Sequence, residues 1–274
     1  MSAVSAAIEP PPAAPEPPPW RAWTGPAALF LALVAGLVVG SIVYVITAIA
    51  TGHPRDAPVA NMIATVLGDV AFIGSALFFA QLAAPPTPAQ FGLRPTRLKR
   101  ALTAMAVGYA VFWVLSGIWL AALGIDTKDH SIDDLGKATA EIAAAGVLVT
   151  VIAPIAEEFL FRGYIFTALR AWAGVWGSAA ITGVLFGAIH GIGNTPVGFL
   201  LPLALFGFVL CLIYRRTGSL YPCIALHSIN NAIAFGVAEG LSWQIPLIAL
   251  GALAAIAALL LPLRRLNTVW PAPV

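Results

Sequence analysis

An all-α, polytopic transmembrane bundle of about eight spans is the fold class this sequence predicts. Three observations lead there. The 274 residues are 60% hydrophobic, with a mean hydropathy of +0.92. Only 9% of them are charged, against roughly 25% in a soluble domain. Apolar stretches of about 20 residues, the length that crosses about 30 Å of hydrocarbon, recur along the chain.

The elements follow in order. Residues 1–26 are rich in Pro and Ala and lack a basic stretch before an apolar core, so they do not read as a secretory signal. The proline run from Pro10 to Pro19 predicts a disordered or polyproline-like cytoplasmic tail. Eight apolar segments come next, at approximately 27–50, 59–84, 101–123, 139–169, 176–192, 197–214, 220–237 and 245–263. They make 27–265 one transmembrane domain, with 266–274 as a short C-terminal tail. The fifth and sixth segments are short, and Gly191-Ile-Gly-Asn-Thr-Pro196 separates them. No repeat of broken helices divides the chain into halves, as it does in many transporters.

Basic residues set the orientation. Arg94, Arg97, Lys99 and Arg100 follow the second span, Arg215 and Arg216 the sixth, and Arg264 and Arg265 the eighth. With eight spans all three groups share the side of Arg21, while the acid-rich loop from Asp126 to Glu141 lies opposite. Simple alternation then predicts a protein of the cell membrane with both termini cytoplasmic. The segment from Phe91 to Arg100 reads as a basic linker touching anionic lipid. Trp20, Trp23, Trp172 and Trp176 fall where interfacial aromatic residues are expected. The scattered basic residues form no stripe, which excludes a nucleic-acid partner. Cys211 and Cys223 read as buried thiols, and His53 and His130 as solvated.

The chemistry is concentrated in Val151-Ile-Ala-Pro-Ile-Ala-Glu157-Glu158-Phe-Leu-Phe-Arg162. A charge in hydrocarbon costs at least a few kcal/mol, so intramembrane charges mark a protein interior or a wet cavity. At about 100° per residue, Glu157 and Glu158 point in different directions. Glu158 and Arg162 are four apart and can pair, which offsets the burial of both. Glu157 keeps no local cation. The fifth span supplies Phe186 and, one turn on, His190; the seventh supplies His227 and Asn231, also four apart. Glu157, His190 and His227 each lie roughly 8–14 residues from a cytoplasmic helix end, about 12–21 Å deep. Such a set suits hydrolysis: a carboxylate base toward water, imidazoles that bind a metal or share the water, and His227 with the Asn231 amide facing an oxyanion. Asp69, beside Gly68 in the second span, reads as a helix-packing or cavity-lining acid.

Glu157-Glu158-x-x-x-Arg162, Phe186-x-x-x-His190 and His227-x-x-x-Asn231, in that order within about 140–238, resemble the three-motif signature of the CAAX protease and bacteriocin-processing (CPBP) intramembrane endopeptidases. The resemblance implies an all-helical membrane fold with a cavity open toward the cytoplasm or inner leaflet. It implies a membrane-presented peptide or protein substrate, Glu157 as the water-activating base with His190 beside it, and His227 and Asn231 as oxyanion partners. Glu158 and Arg162 would hold the motif helix. The resemblance allows zinc on His190 and His227, with Glu157 as a third ligand, and equally a metal-free glutamate mechanism.

Rival classes can be weighed on residues. There is no His-Glu-x-x-His and no Gly-x-Ser-x-Gly, so zincins and serine hydrolases of those types have no basis here. Asp69 has no second membrane aspartate to make an aspartyl protease. A proton-coupled transporter relaying through Glu157 and the histidines, and a non-catalytic scaffold or immunity protein, are the alternatives of a different kind.

Overall fold

A computed structural model describes residues 18–52, 58–124, 139–192 and 195–262. Residues 1–17 of the predicted N-terminal tail, the whole predicted C-terminal tail 266–274, His53, His130, Arg264, Arg265 and most of the acidic loop lie outside the described residues. Among the described residues every regular element is a helix. The chain is an all-helical membrane bundle, as its composition predicts.

Helix α1 (Thr24–Thr51) begins three residues before the predicted boundary and stops at Gly52, whose φ of 74° lets its N–H close on the Ala48 carbonyl. It is apolar all round, and Phe30, Leu37 and Ile49 are 70%, 72% and 81% exposed. A soluble protein does not leave such residues in water, whereas lipid accepts them. Helix α2 (Pro58–Gln81) runs against α1, and α3 (Leu98–Leu123) ends at Gly124. Five helical stretches among the described residues are long and apolar enough to cross a membrane. The last two predicted spans are α8 (Tyr221–Ala238), 18 residues, and α9 (Gln244–Leu260), 17 residues.

The fourth span is unlike the others. It runs as α4 (Thr139–Val147), a π segment (Leu148–Ile152), α5 (Ala153–Glu158), a second π segment (Phe159–Phe166) and α6 (Thr167–His190). Pro154 accounts for part of this. It has no N–H for the carbonyl of Thr150, and its ring presses on that carbonyl. In the π register the N–H of Ala153 bonds Leu148 and leaves Val149 without its usual partner. Side chains of α8 take up both carbonyls: Ser228 Oγ donates to Thr150 O at 2.6 Å and Asn231 Nδ2 to Val149 O at 2.9 Å.

Gly174 breaks α6 in two. Its φ of 65° and ψ of −171° lie outside the helical region and are open to glycine. The break separates the predicted fourth and fifth spans, and the flanking Trp172 and Trp176 are 71% and 69% exposed. Beyond it α6 packs on α7 (Val197–Thr217). A Cβ on Gly183 or Gly187 would sit 2.6 Å from a carbonyl oxygen of Ala204 or Leu200, so the two backbones approach closely.

One end of the bundle is tied together by the segment predicted as a lipid-contact linker. Phe91, Gly92 and Leu93 are buried, while Arg97, Lys99 and Arg100 of the same segment remain exposed. The Gly92 carbonyl accepts from Leu220 N at 2.8 Å, Arg94 Nε donates to Gly218 O at 2.6 Å, and Ser219 Oγ donates to Arg94 O at 2.6 Å. Trp20 is corrected with it. Only 6% exposed, it packs on Phe91 and Tyr164 rather than lying in an interfacial belt. The N-terminal, Arg94 and Arg215–Arg216 segments therefore meet at the same end. Gly92 has φ 87°, and a Cβ there would fall 2.4 Å from the Tyr214 ring. Gly92→Ala is expected to destabilise the protein by about 1–3 kcal/mol, visible as a lowered thermal unfolding midpoint in detergent.

Candidate active site

Within a largely apolar interior the bundle buries one cluster of charged and polar side chains. Glu158 and Arg162 are both fully buried. The helical spacing places them on one face, and Arg162 Nη1 meets Glu158 Oε1 at 2.6 Å. The guanidinium is also held from α7, where Nη2 donates to Gly207 O at 3.0 Å, and it stands 4.6 Å over the Phe186 ring. The second π segment carries Arg162, while α7 brings the Gly207 carbonyl and α6 the aromatic face.

Helix α8 closes the site from the other side. His227 Nδ1 lies 2.8 Å from Glu158 Oε1, and its Nε2 lies 3.8 Å from Glu157 Oε2. Glu158 Oε1 already accepts from Arg162, so the hydrogen shared with His227 sits on Nδ1. The 3.8 Å gap to Glu157 exceeds a direct hydrogen bond and suits a bridging solvent molecule. His227 is thus the link between the two carboxylates. Phe206 walls it at 5.6 Å between ring centroids.

Phe186 stands between the two imidazoles, with centroids 4.9 Å from His190 and 5.7 Å from His227. Its own carbonyl faces His190 Nδ1 at 2.7 Å. The carbonyl accepts, so Nδ1 carries a hydrogen. Glu157, at 14% side-chain exposure, and half-buried His190 retain access that Glu158 and Arg162 lack.

The Asn231 amide is engaged by Val149 O, which leaves its second N–H for other use. Ser228 and Thr150 hold the same helix pair and go unnoticed in the sequence reading. Their only sequence signal is Pro154, which predicts an orphan carbonyl four residues earlier. Asp69 is 6% exposed on α2, which packs on α5, and it lies within electrostatic reach of Glu157. Neither Asp69 Oδ2 nor Glu157 Oε2 meets a hydrogen-bond donor among the described residues.

The metal expectation can be tested on the donor set. Among the described residues no three His, Cys, Asp or Glu side chains gather as ligands of one ion. His227 Nδ1 is turned to Glu158 and His190 Nδ1 to a backbone carbonyl, partners of the kind that orient an imidazole and leave its Nε2 available. A catalytic zinc usually takes three protein ligands, and no third side chain gathers with such a pair among the described residues.

The comparisons agree with the motifs. Residues 139–233 match the family described as Rce1-like, "Type II CAAX prenyl endopeptidase Rce1-like". A Bacillus subtilis (strain 168) protein named "Putative membrane peptidase YdiL" is 22% identical over 139 residues, covering 46% of this chain and 55% of that protein. The chain thus spans about half the length of the curated relative it matches. No solved structure matches. The matched region contains all three motifs, so this stretch of the chain is similar to the Rce1-like endopeptidases by family model and by motif alike.

Proposed function

We propose that this chain is an intramembrane endopeptidase that hydrolyses a membrane-presented peptide or protein through a water activated by Glu157. The observation that carries this reading is the placement of His227 between a fixed carboxylate, Glu158 at 2.8 Å, and a more accessible one, Glu157 at 3.8 Å. With Nδ1 held by Glu158, His227 turns its Nε2 toward Glu157 and the reacting centre.

In this mechanism Glu157 takes a proton from water as the oxygen attacks the scissile carbonyl carbon. The oxyanion is met by His227 Nε2–H and the second amide hydrogen of Asn231. The tetrahedral intermediate collapses with cleavage of the C–N bond, and Glu157 returns the proton to the leaving amine. His190, its ring held through Nδ1 by Phe186 O, uses Nε2 to orient the water. Glu158 and Arg162 hold His227 in place and touch no reacting atom.

The meeting of the N-terminal segment with the basic Arg94 and Arg215–Arg216 segments at one end of the bundle supports placing that end in the cytoplasm of a cell-membrane protein, and an even number of spans places the C-terminus there as well. The reading is tested by reconstituting purified protein in liposomes with a library of membrane-anchored peptides and scoring cleavage and proton flux together. Endoproteolysis without flux is expected. Flux without cleavage would replace the protease with a carrier. On the metal-free form of this reading, which the lack of a gathered third ligand among the described residues favours, exhaustive chelation is expected to leave the cleavage rate within about twofold, measured beside the metal content of the same sample. A loss of activity restored by zinc would overturn that part.

A further inference from the structure

Two cavities open at the basic end of the bundle, outside the candidate active site and on either side of α7. The larger, about 670 Å³, follows the seam between α3 and α7. The smaller, about 590 Å³, lies against Val175 and Trp176, where α6 resumes after its break. Arg100, Leu212 and Arg216 line both. Arg97 and Lys99 add to the mouth of the first and Arg215 to that of the second, and all five basic side chains are exposed. No carboxylate lines either cavity, and among the described residues none forms an ion pair with these five.

Beyond the mouth the larger cavity loses all charge. It continues along α3 as far as Val111, about 16 Å from Arg100 at helical rise. Gly108 keeps its floor low, since a Cβ there would meet Val209 and Ile213 side chains at 3.0 Å.

We propose that these cavities hold one anionic diacyl phospholipid of the adjoining leaflet, its phosphate between Arg100 and Arg216 and one acyl chain on each side of Leu212. Any apolar groove facing hydrocarbon is filled by acyl chains, so apolarity alone selects nothing. The selection comes from charge. Five uncompensated cations at the mouth repel the ammonium of a zwitterionic head group and attract a head group of net negative charge. Two guanidinium groups at the junction match phosphate oxygens in pairs. Two cavities sharing one cationic junction also match a lipid with two chains and one head.

The test is native mass spectrometry of the full chain released from nanodiscs of equal phosphatidylglycerol and phosphatidylcholine. The wild type is expected to retain one phosphatidylglycerol, enriched at least tenfold over phosphatidylcholine. The exposed-site variant Arg100→Gln/Arg216→Gln should fall near parity with an unchanged unfolding midpoint. Val107→Trp, which fills the seam and leaves every cation in place, should lose the lipid as well. Equal retention of both lipids by the wild type would overturn the assignment, as would undiminished phosphatidylglycerol in either variant. Displacement of the phosphatidylglycerol by an isoprenylated peptide would overturn it too, giving the groove to a lipidated substrate.

Discussion

Replacing Glu157 with Gln is expected to lower peptide cleavage by about 10³-fold or more, the scale on which a general base contributes, while leaving the unfolding midpoint unchanged. The side chain keeps its shape and loses only the ability to take a proton. No hydrogen bond of the fold depends on Glu157 Oε2, which meets no donor among the described residues. Glu157→Asp shortens the reach to His227 Nε2, already 3.8 Å away, and should retain a small residual rate. The check is the initial rate on a quenched fluorescent peptide in liposomes, with thermal unfolding measured on the same preparations. An active Glu157→Gln protein would remove the base from the mechanism.

The second large effect falls on stability. Glu158→Ala leaves Arg162 charged and fully buried, with the Gly207 carbonyl and the Phe186 ring face but no ion-pair partner among the described residues. Breaking a buried pair by removing one partner costs about 3–5 kcal/mol, because the survivor has no compensation. Arg162→Leu is expected to do the same to Glu158, with His227 as its one remaining partner. The double variant Glu158→Gln/Arg162→Leu buries no charge of the pair and should unfold at a higher temperature than either single variant. Differential scanning fluorimetry in detergent decides this. Additive losses would mean that the two side chains stabilise the bundle independently. Even where the double variant folds, activity should remain low, because His227 loses the carboxylate that orients it.

Much of this site is legible in the sequence because hydrocarbon makes charge conspicuous. Glu157, Glu158 and Arg162 stand out in an apolar helix, and four-residue spacing pairs Glu158 with Arg162 without any knowledge of the fold. The same spacing turns His227 and Asn231 toward one neighbour. Backbone chemistry is harder to read. The π segments shift the helical register by a fraction of a turn, too little to disturb an apolar pattern that surrounds the helix on all sides. Ser228 and Asn231 therefore look free in the sequence, although Thr150 and Val149 claim them. Trp20 and Phe91-Gly-Leu-Arg94 are misplaced by sequence alone for a related reason. Loops have no period, so sequence shows their charges but not the carbonyls and rings that bury them. Gly174 marks its break because an isolated glycine between two tryptophans interrupts an otherwise continuous apolar run.

The most direct measurement is cleavage of a membrane-anchored peptide in H₂¹⁸O by chelator-washed wild-type protein, read by mass spectrometry of the products. One ¹⁸O in the new carboxylate, at a rate unaffected by chelation and absent with Glu157→Gln, is the predicted result. No cleavage by wild type, or equal label from the Glu157→Gln protein, would contradict it.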